Sequence, residues 1–335
     1  MTLRHRGFVD LPDHAKAGGF DHAAVHRPTG RIYVAHTAND AVDVIDIQSQ
    51  KYVGSIPGLP AVAGALVADD ADLVFTSNRG ENTVAVFTAT TEATTEGRHG
   101  SAGAPGAFGG MGGHFGAPHV KVEKIGVGVR PNGLAYDPRR ARLLAAHVGE
   151  PAVAGSCTVC IVDVRVRKRI ADILVAGRTR WTVYDPVADA FHVNIASPAQ
   201  IVVVAAGDPI GIRRVVPVAH AGPHGLDIDA ARRRLFCACD AGMLVEIDAD
   251  TGDVVGTEPI AGVPDVVFFN AALARLYVAI GEPGVIEVFD TAPLRRHETV
   301  VTEAGAHTLS FDAARNIVCA FLPATHRAAV YEDQR

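Results

Sequence analysis

Arg31-Ile-Tyr-Val-Ala-His-Thr-Ala-Asn-Asp-Ala-Val-Asp-Val-Ile-Asp46, followed by Lys51-Tyr-Val-Gly-Ser-Ile56, reads as short apolar strands separated by polar turns. Apolar runs of this length, rich in Val, Ile and Tyr and bounded by Asn, Asp and Gly, are strand signals. The phrase recurs along the chain. Arg142-Leu-Leu-Ala-Ala-His147, Arg234-Leu-Phe-Cys-Ala-Cys239 and Arg275-Leu-Tyr-Val-Ala-Ile280 copy its opening strand, each led by arginine. Val84-Ala-Val-Phe87, Cys160-Ile-Val-Asp163, Leu244-Val-Glu-Ile-Asp248 and Ile286-Glu-Val-Phe-Asp290 copy the next one.

A further apolar strand precedes each copy, and the residues ending it are His26, Ala68, Asp137, Asp185, Asp229, Asn270 and Asp312. Successive gaps between these anchors are 42, 69, 48, 44, 41 and 42. Self-similarity near this period, with several strands per unit, is what four-stranded propeller blades require. No amphipathic helix separates the strands, which argues against a parallel α/β fold. The expected fold is all-β: a seven-bladed β-propeller of four-stranded antiparallel blades, one domain over residues 1–335. The last unit stops one strand short, after Ile317-Val-Cys-Ala-Phe321 and Ala328-Ala-Val-Tyr331, while Gly7-Phe-Val-Asp-Leu-Pro12 matches the fourth strand Tyr52-Val-Gly-Ser-Ile-Pro57. The N-terminal strand is therefore expected to complete blade seven and remove a free sheet edge.

Phe75-Thr-Ser-Asn-Arg-Gly-Glu-Asn-Thr-Val-Ala-Val-Phe87 resembles the YVTN repeat, and Tyr33 to Asp46 is a second good match. The resemblance extends over nearly the whole chain and implies the same seven-bladed propeller. It leaves function open, because the family includes enzymes, surface-layer modules and proteins of unknown role.

Composition narrows the function classes. Apolar residues make up 48% of the 335-residue chain and aromatics only 6%, so the core must be built from Val, Ala, Leu and Ile. The formal charge of −6 comes without a Lys/Arg-rich run, which argues against nucleic acid or an anionic membrane as partner. No stretch has the length of a membrane span, and Met1 to Phe20 lacks an apolar leader core, so a cytoplasmic location is expected. Five cysteines argue against a disulfide framework, and Cys157-Thr-Val-Cys160 runs into a strand that sends its two thiols to opposite faces. A monomer is expected.

The 69-residue gap exceeds the period by 27 (69 − 42), placing a Gly-rich flexible loop at 90–118 within blade two. Its glycines superficially resemble a phosphate-cradling loop but lack GxxxxGK. His99, His114 and His119 within it are read as adventitious. Strand direction sends this loop to one face. Blade-to-blade loops and second-to-third-strand loops share the other, where propeller ligands gather at the channel mouth.

On that mouth, five residues before each anchor, stand Asp21, Ala63, Asn132, Arg180, His224, Asp265 and His307. His22 and Trp181 adjoin them, and His36, Asn78, His147, Asn194 and Asp240 end second strands on the same side. Imidazole and carboxylate from separate blades suit a divalent transition metal ion such as zinc, iron, copper or manganese, with Asp21, His22, His36, His147, His224 and His307 as candidate ligands. The plainer reading of each histidine is a strand-end cap in a wet channel mouth. Arg180, Glu150 and Asp240 are candidate catalytic groups: Arg180 to clamp a carboxylate or phosphate, Glu150 as a general base on a lid loop. Their plainer reading is surface ion pairing. Asn132, Trp181 and Asp265 are candidate substrate contacts.

The leading expectation is a metal-dependent enzyme acting on a small polar metabolite by lactone or ester hydrolysis (a lactonase-like hydrolase), by elimination as a lyase, or by isomerisation. The alternative is a non-catalytic ligand-binding or protein-interaction scaffold. A third reading gives the Gly-rich loop a partner-binding role on the opposite face.

Overall fold

The apolar runs become strands; from the second onward each successive set of four pairs into one antiparallel sheet, and the first strand joins the last three. In the computed structural model, which describes residues 2–90 and 120–334, seven such sheets follow one another round a ring. The innermost strands, Phe20–His26, Val62–Ala68, Pro131–Asp137, Thr179–Asp185, Pro223–Asp229, Pro264–Asn270 and Thr308–Asp312, touch their neighbours in order and surround a central channel. All seven anchors fall on the last residue of these strands. No helix among the described residues is long and apolar enough to cross a membrane.

The repeated Asp has a local cause. Asp137 Oδ1 accepts the N–H of Arg139 at 2.9 Å, Asp185 Oδ1 those of Val187 and Ala188, and Asp312 Oδ1 those of Ala314 and Arg315. A short side chain capping its own turn is the reason Asp and Asn recur there. Four residues after every anchor the chain enters the left-handed region, at Gly30, Asp72, Ala141, Asp189, Arg233, Ala274 and Asn316. The first hairpin of every blade is thus one turn used seven times.

Seven hydrophobic clusters hold the ring together, each joining two adjacent blades. Truncating a fully buried ring such as Phe75 or Phe191 to Ala costs about 3–5 kcal/mol. The inner strands approach closely where a side chain is missing. A Cβ on Gly64 would lie 2.4 Å from the carbonyl of Asn132, one on Gly133 2.5 Å from that of Arg180, and one on Gly225 2.6 Å from that of Asp265.

Closure follows the expected plan: strand Leu3–Asp10 pairs antiparallel with Arg327–Asp333, Leu3 opposite Asp333. The N–H of Gln334 reaches the carbonyl of Thr2 at 3.1 Å. Beside this seam Asp333 accepts the Tyr277 hydroxyl at 2.6 Å and pairs with Arg275.

The Gly-rich loop expected at 90–118 lies, apart from Thr90, outside the described residues. All five cysteines are free, and burial pushes the Cys160 and Cys319 thiols up to about 12. A thiol so poorly ionised is an inert core residue.

Candidate functional site

The second position of each innermost strand brings Asp21, Asn132, Arg180, His224 and Asp265 to one channel mouth, with His307 immediately before its strand. Blades four to seven contribute one connected network. His224 Nδ1 lies 2.7 Å from Asp240 Oδ1, and its Nε2 lies 3.2 Å from Asp265 Oδ1 and 3.0 Å from Arg180 Nη1. Arg180 also reaches Asp240 at 3.3 Å, and His307 Nε2 stands 3.7 Å from Asp265. On the other side of the mouth Arg79 binds the Asn132 side chain at 2.5 Å and Asp21 at 3.3 Å. Asp21 in turn lies 3.3 Å from His22 Nε2.

This geometry gives His224 two arrangements. With Nδ1–H donated to Asp240, a neutral ring accepts Arg180 Nη1 at Nε2, whereas a protonated ring donates Nε2–H to Asp265. Burial disfavours the charged ring, yet Asp240 and Asp265 outweigh burial and raise its pKa. Burial likewise opposes ionisation of Asp265 and Asp240. His224 nevertheless holds both carboxyls below the usual range, helped by His22 and His307 at Asp265 and by Arg180 and Arg178 at Asp240. Desolvation outweighs Asp21 and Asp265 at His22 and lowers its pKa.

His22 and Trp181 occupy the same strand position in blades one and four, where blades two, three and five carry glycine. Their rings meet with centroids 4.2 Å apart. Both also line a cavity of about 530 Å³ that continues down the channel, so this pair separates the charged mouth from the space below.

Three expected residues are elsewhere. His36 is fully buried inside blade one with Nδ1 2.7 Å from Asp43 Oδ2. His147 is fully buried in blade three, accepting the Gly128 N–H at Nε2 and donating Nδ1–H to Thr158, and burial lowers its pKa to about 4. Glu150 sits half-exposed on its loop, 3.9 Å from Arg130. Among the described residues no three His, Cys, Asp or Glu side chains are grouped so that they could hold a metal ion. His224, Asp265 and His307 lie near one another, but the first two already satisfy one another. As arranged, the residues do not fit a metal.

Two cations were missed in the sequence. Arg79 follows the end of a second strand, and Arg178 lies in a blade-to-blade loop two residues before Arg180. Burial and the nearby charges of Arg180, Arg79 and Arg130 lower the pKa of Arg178, and its guanidinium makes no ion pair among the described residues. The Nε atoms of Arg79 and Arg180 are buried without an acceptor among the described residues. Reading the blade-to-blade and second-to-third-strand loops, which share the rim, for cations was the available signal.

Fold and rim together define a seven-bladed β-propeller with a charged channel mouth. No protein-family model matches the chain, and no curated protein matches it.

Proposed function

We propose that the protein is a YVTN-type propeller that binds a small polar metabolite carrying a carboxylate or phosphate at this mouth. The supporting observation is the presence of Arg79, Arg178 and Arg180 round one mouth, close enough that the charges of Arg180 and Arg79 act on Arg178, with two Nε atoms lacking acceptors and one guanidinium without an ion pair among the described residues. Guanidinium groups suit planar, bidentate capture of such anions. Asn132 supplies a neutral polar contact beside them, and His224 is poised to pass a proton at Nε2. Five unlinked thiols favour the reducing cytoplasm as its location.

Calorimetric titration of the purified chain with inorganic phosphate and with citrate tests this reading. Saturable binding that weakens about tenfold or more in Arg180→Ala is expected, and heatless titrations with both anions would refute it.

The metal-dependent hydrolase or lyase is a second reading, favoured by one feature: Asp265 stands between two imidazoles at 3.2 and 3.7 Å. It requires His224 to leave Asp265. Elemental analysis of protein supplied with zinc, iron, copper and manganese decides it. Stoichiometric metal lost in His224→Ala supports it, and metal-free protein ends it.

A further inference from the structure

The space below the His22–Trp181 pair is a compartment of its own. Its lining includes Arg27, Asp69, Asp70 and Pro138, which belong to the hairpins between first and second strands, so it opens on the face opposite the charged mouth. Further in, its walls are apolar and aromatic, with Leu66, Val183, Trp181, Phe268 and Phe311. Trp181 and Phe268 meet edge to face at 6.2 Å, and Phe268 lies 6.4 Å from Phe311.

One carboxylate stands in this wall. Asp227 sits two residues before its anchor, where blades one to four carry Ala24, Leu66, Ala135 and Val183. Its oxygens accept the backbone N–H groups of Ile228 at 2.8 Å and Phe269 at 2.7 Å, which fixes its direction and leaves each oxygen a free lone pair. Among the described residues no cationic side chain pairs with it, and burial pushes its carboxyl up to about 6. A carboxylate held in an apolar wall without a counter-charge gains from any cation that enters. The lining carries Asp69, Asp70 and Asp227 against Arg27 alone, and Arg27 is already paired with Asp69. The charge therefore repels anions. A neutral guest leaves Asp227 uncompensated, and a bare metal ion finds one inner carboxylate where it needs several oxygens. Aromatic rings beside a carboxylate favour an ammonium group attached to an apolar body.

We propose that this lower channel is a binding site for an organic ammonium ion, its charged head held by Asp227 and the neighbouring aromatic rings and its apolar part by Leu66, Val183 and Phe311.

Trp181 is the only tryptophan, so its fluorescence reads the site directly. The test titrates the full chain with phenyltrimethylammonium and, separately, with its uncharged isostere tert-butylbenzene. A saturable change with the cation is expected, with binding about tenfold or more weaker for the isostere and for Asp227→Asn. Phe268→Leu should weaken the cation severalfold and provides the reading if Asp227→Asn does not fold. No saturable change up to about 10 mM cation, equal affinity for the isostere, or unchanged affinity in a folded variant overturns the proposal.

Discussion

The imidazole of His22 and the indole of Trp181 meet inside the channel, 4.2 Å between centroids, although they come from blades on opposite sides of the ring. Among the ring contacts of the described residues, no other joins blades so far apart. The contact joins the two halves of the propeller through its centre as well as round its circumference.

That contact should be measurable as a coupling. A double-mutant cycle with His22→Ala and Trp181→Ala, followed by urea unfolding, is expected to give about 1 kcal/mol of interaction beyond additivity. Strict additivity would show that the two rings merely share a space.

The charged mouth should be tightest in mildly acidic solution. His224 has a raised folded pKa, so its stabilisation is complete below its unfolded value of 6.5 and is lost as pH rises through the higher folded one. Asp240 and Asp265 have lowered folded values, so theirs is present above 3.8 and is lost as pH falls through the lowered ones. Thermal melts of the wild type and His224→Gln should differ most between about pH 4 and 6.5, and the gap should narrow by pH 8. A constant gap contradicts the pairing.

His147 works in the opposite direction. Its folded pKa of about 4 lies below the unfolded 6.5, so the unfolded chain binds the proton first and stability falls as pH drops from 6.5 toward 4. The loss should approach about 3 kcal/mol at the acid end. His147→Asn is expected to cost stability at pH 7 but to show a shallower acid decline in denaturant titrations. An unchanged slope would place the acid sensitivity elsewhere.

Removing residues 2–10 should expose the strand Arg327–Asp333 as a free edge. Concentration-dependent oligomers in light scattering, with a melting temperature lower by several degrees, are expected. A monomeric, equally stable product would show that three strands suffice in blade seven.

The architecture was readable because each blade repeats the same local chemistry. An Asp or Asn that caps its own turn in blades three to seven, and a left-handed residue four positions after the anchor in all seven, leave a signature at a constant spacing. The rim residues were readable for the same reason: strand direction and an offset of five locate Arg180, His224 and Asp265 at the mouth. That rule cannot report radius. His36 and His147 end second strands on the same face, but one strand farther from the axis, and both side chains turn into the blade with their own partners. Arg79 and Arg178 lie just outside the strands, where the frame of anchors gives no register. The meeting of His22 with Trp181 depends on the width of the channel, which no spacing along the chain encodes.

The seam in blade seven has a meaning for the chain as a whole. With Leu3 opposite Asp333 and Thr2 bonded to Gln334, the two ends of the ring of blades are hydrogen-bonded neighbours. A short linker across that gap would make the order of the blades cyclic. New ends could then be opened at any of the seven equivalent first hairpins, making this scaffold a natural candidate for circular permutation.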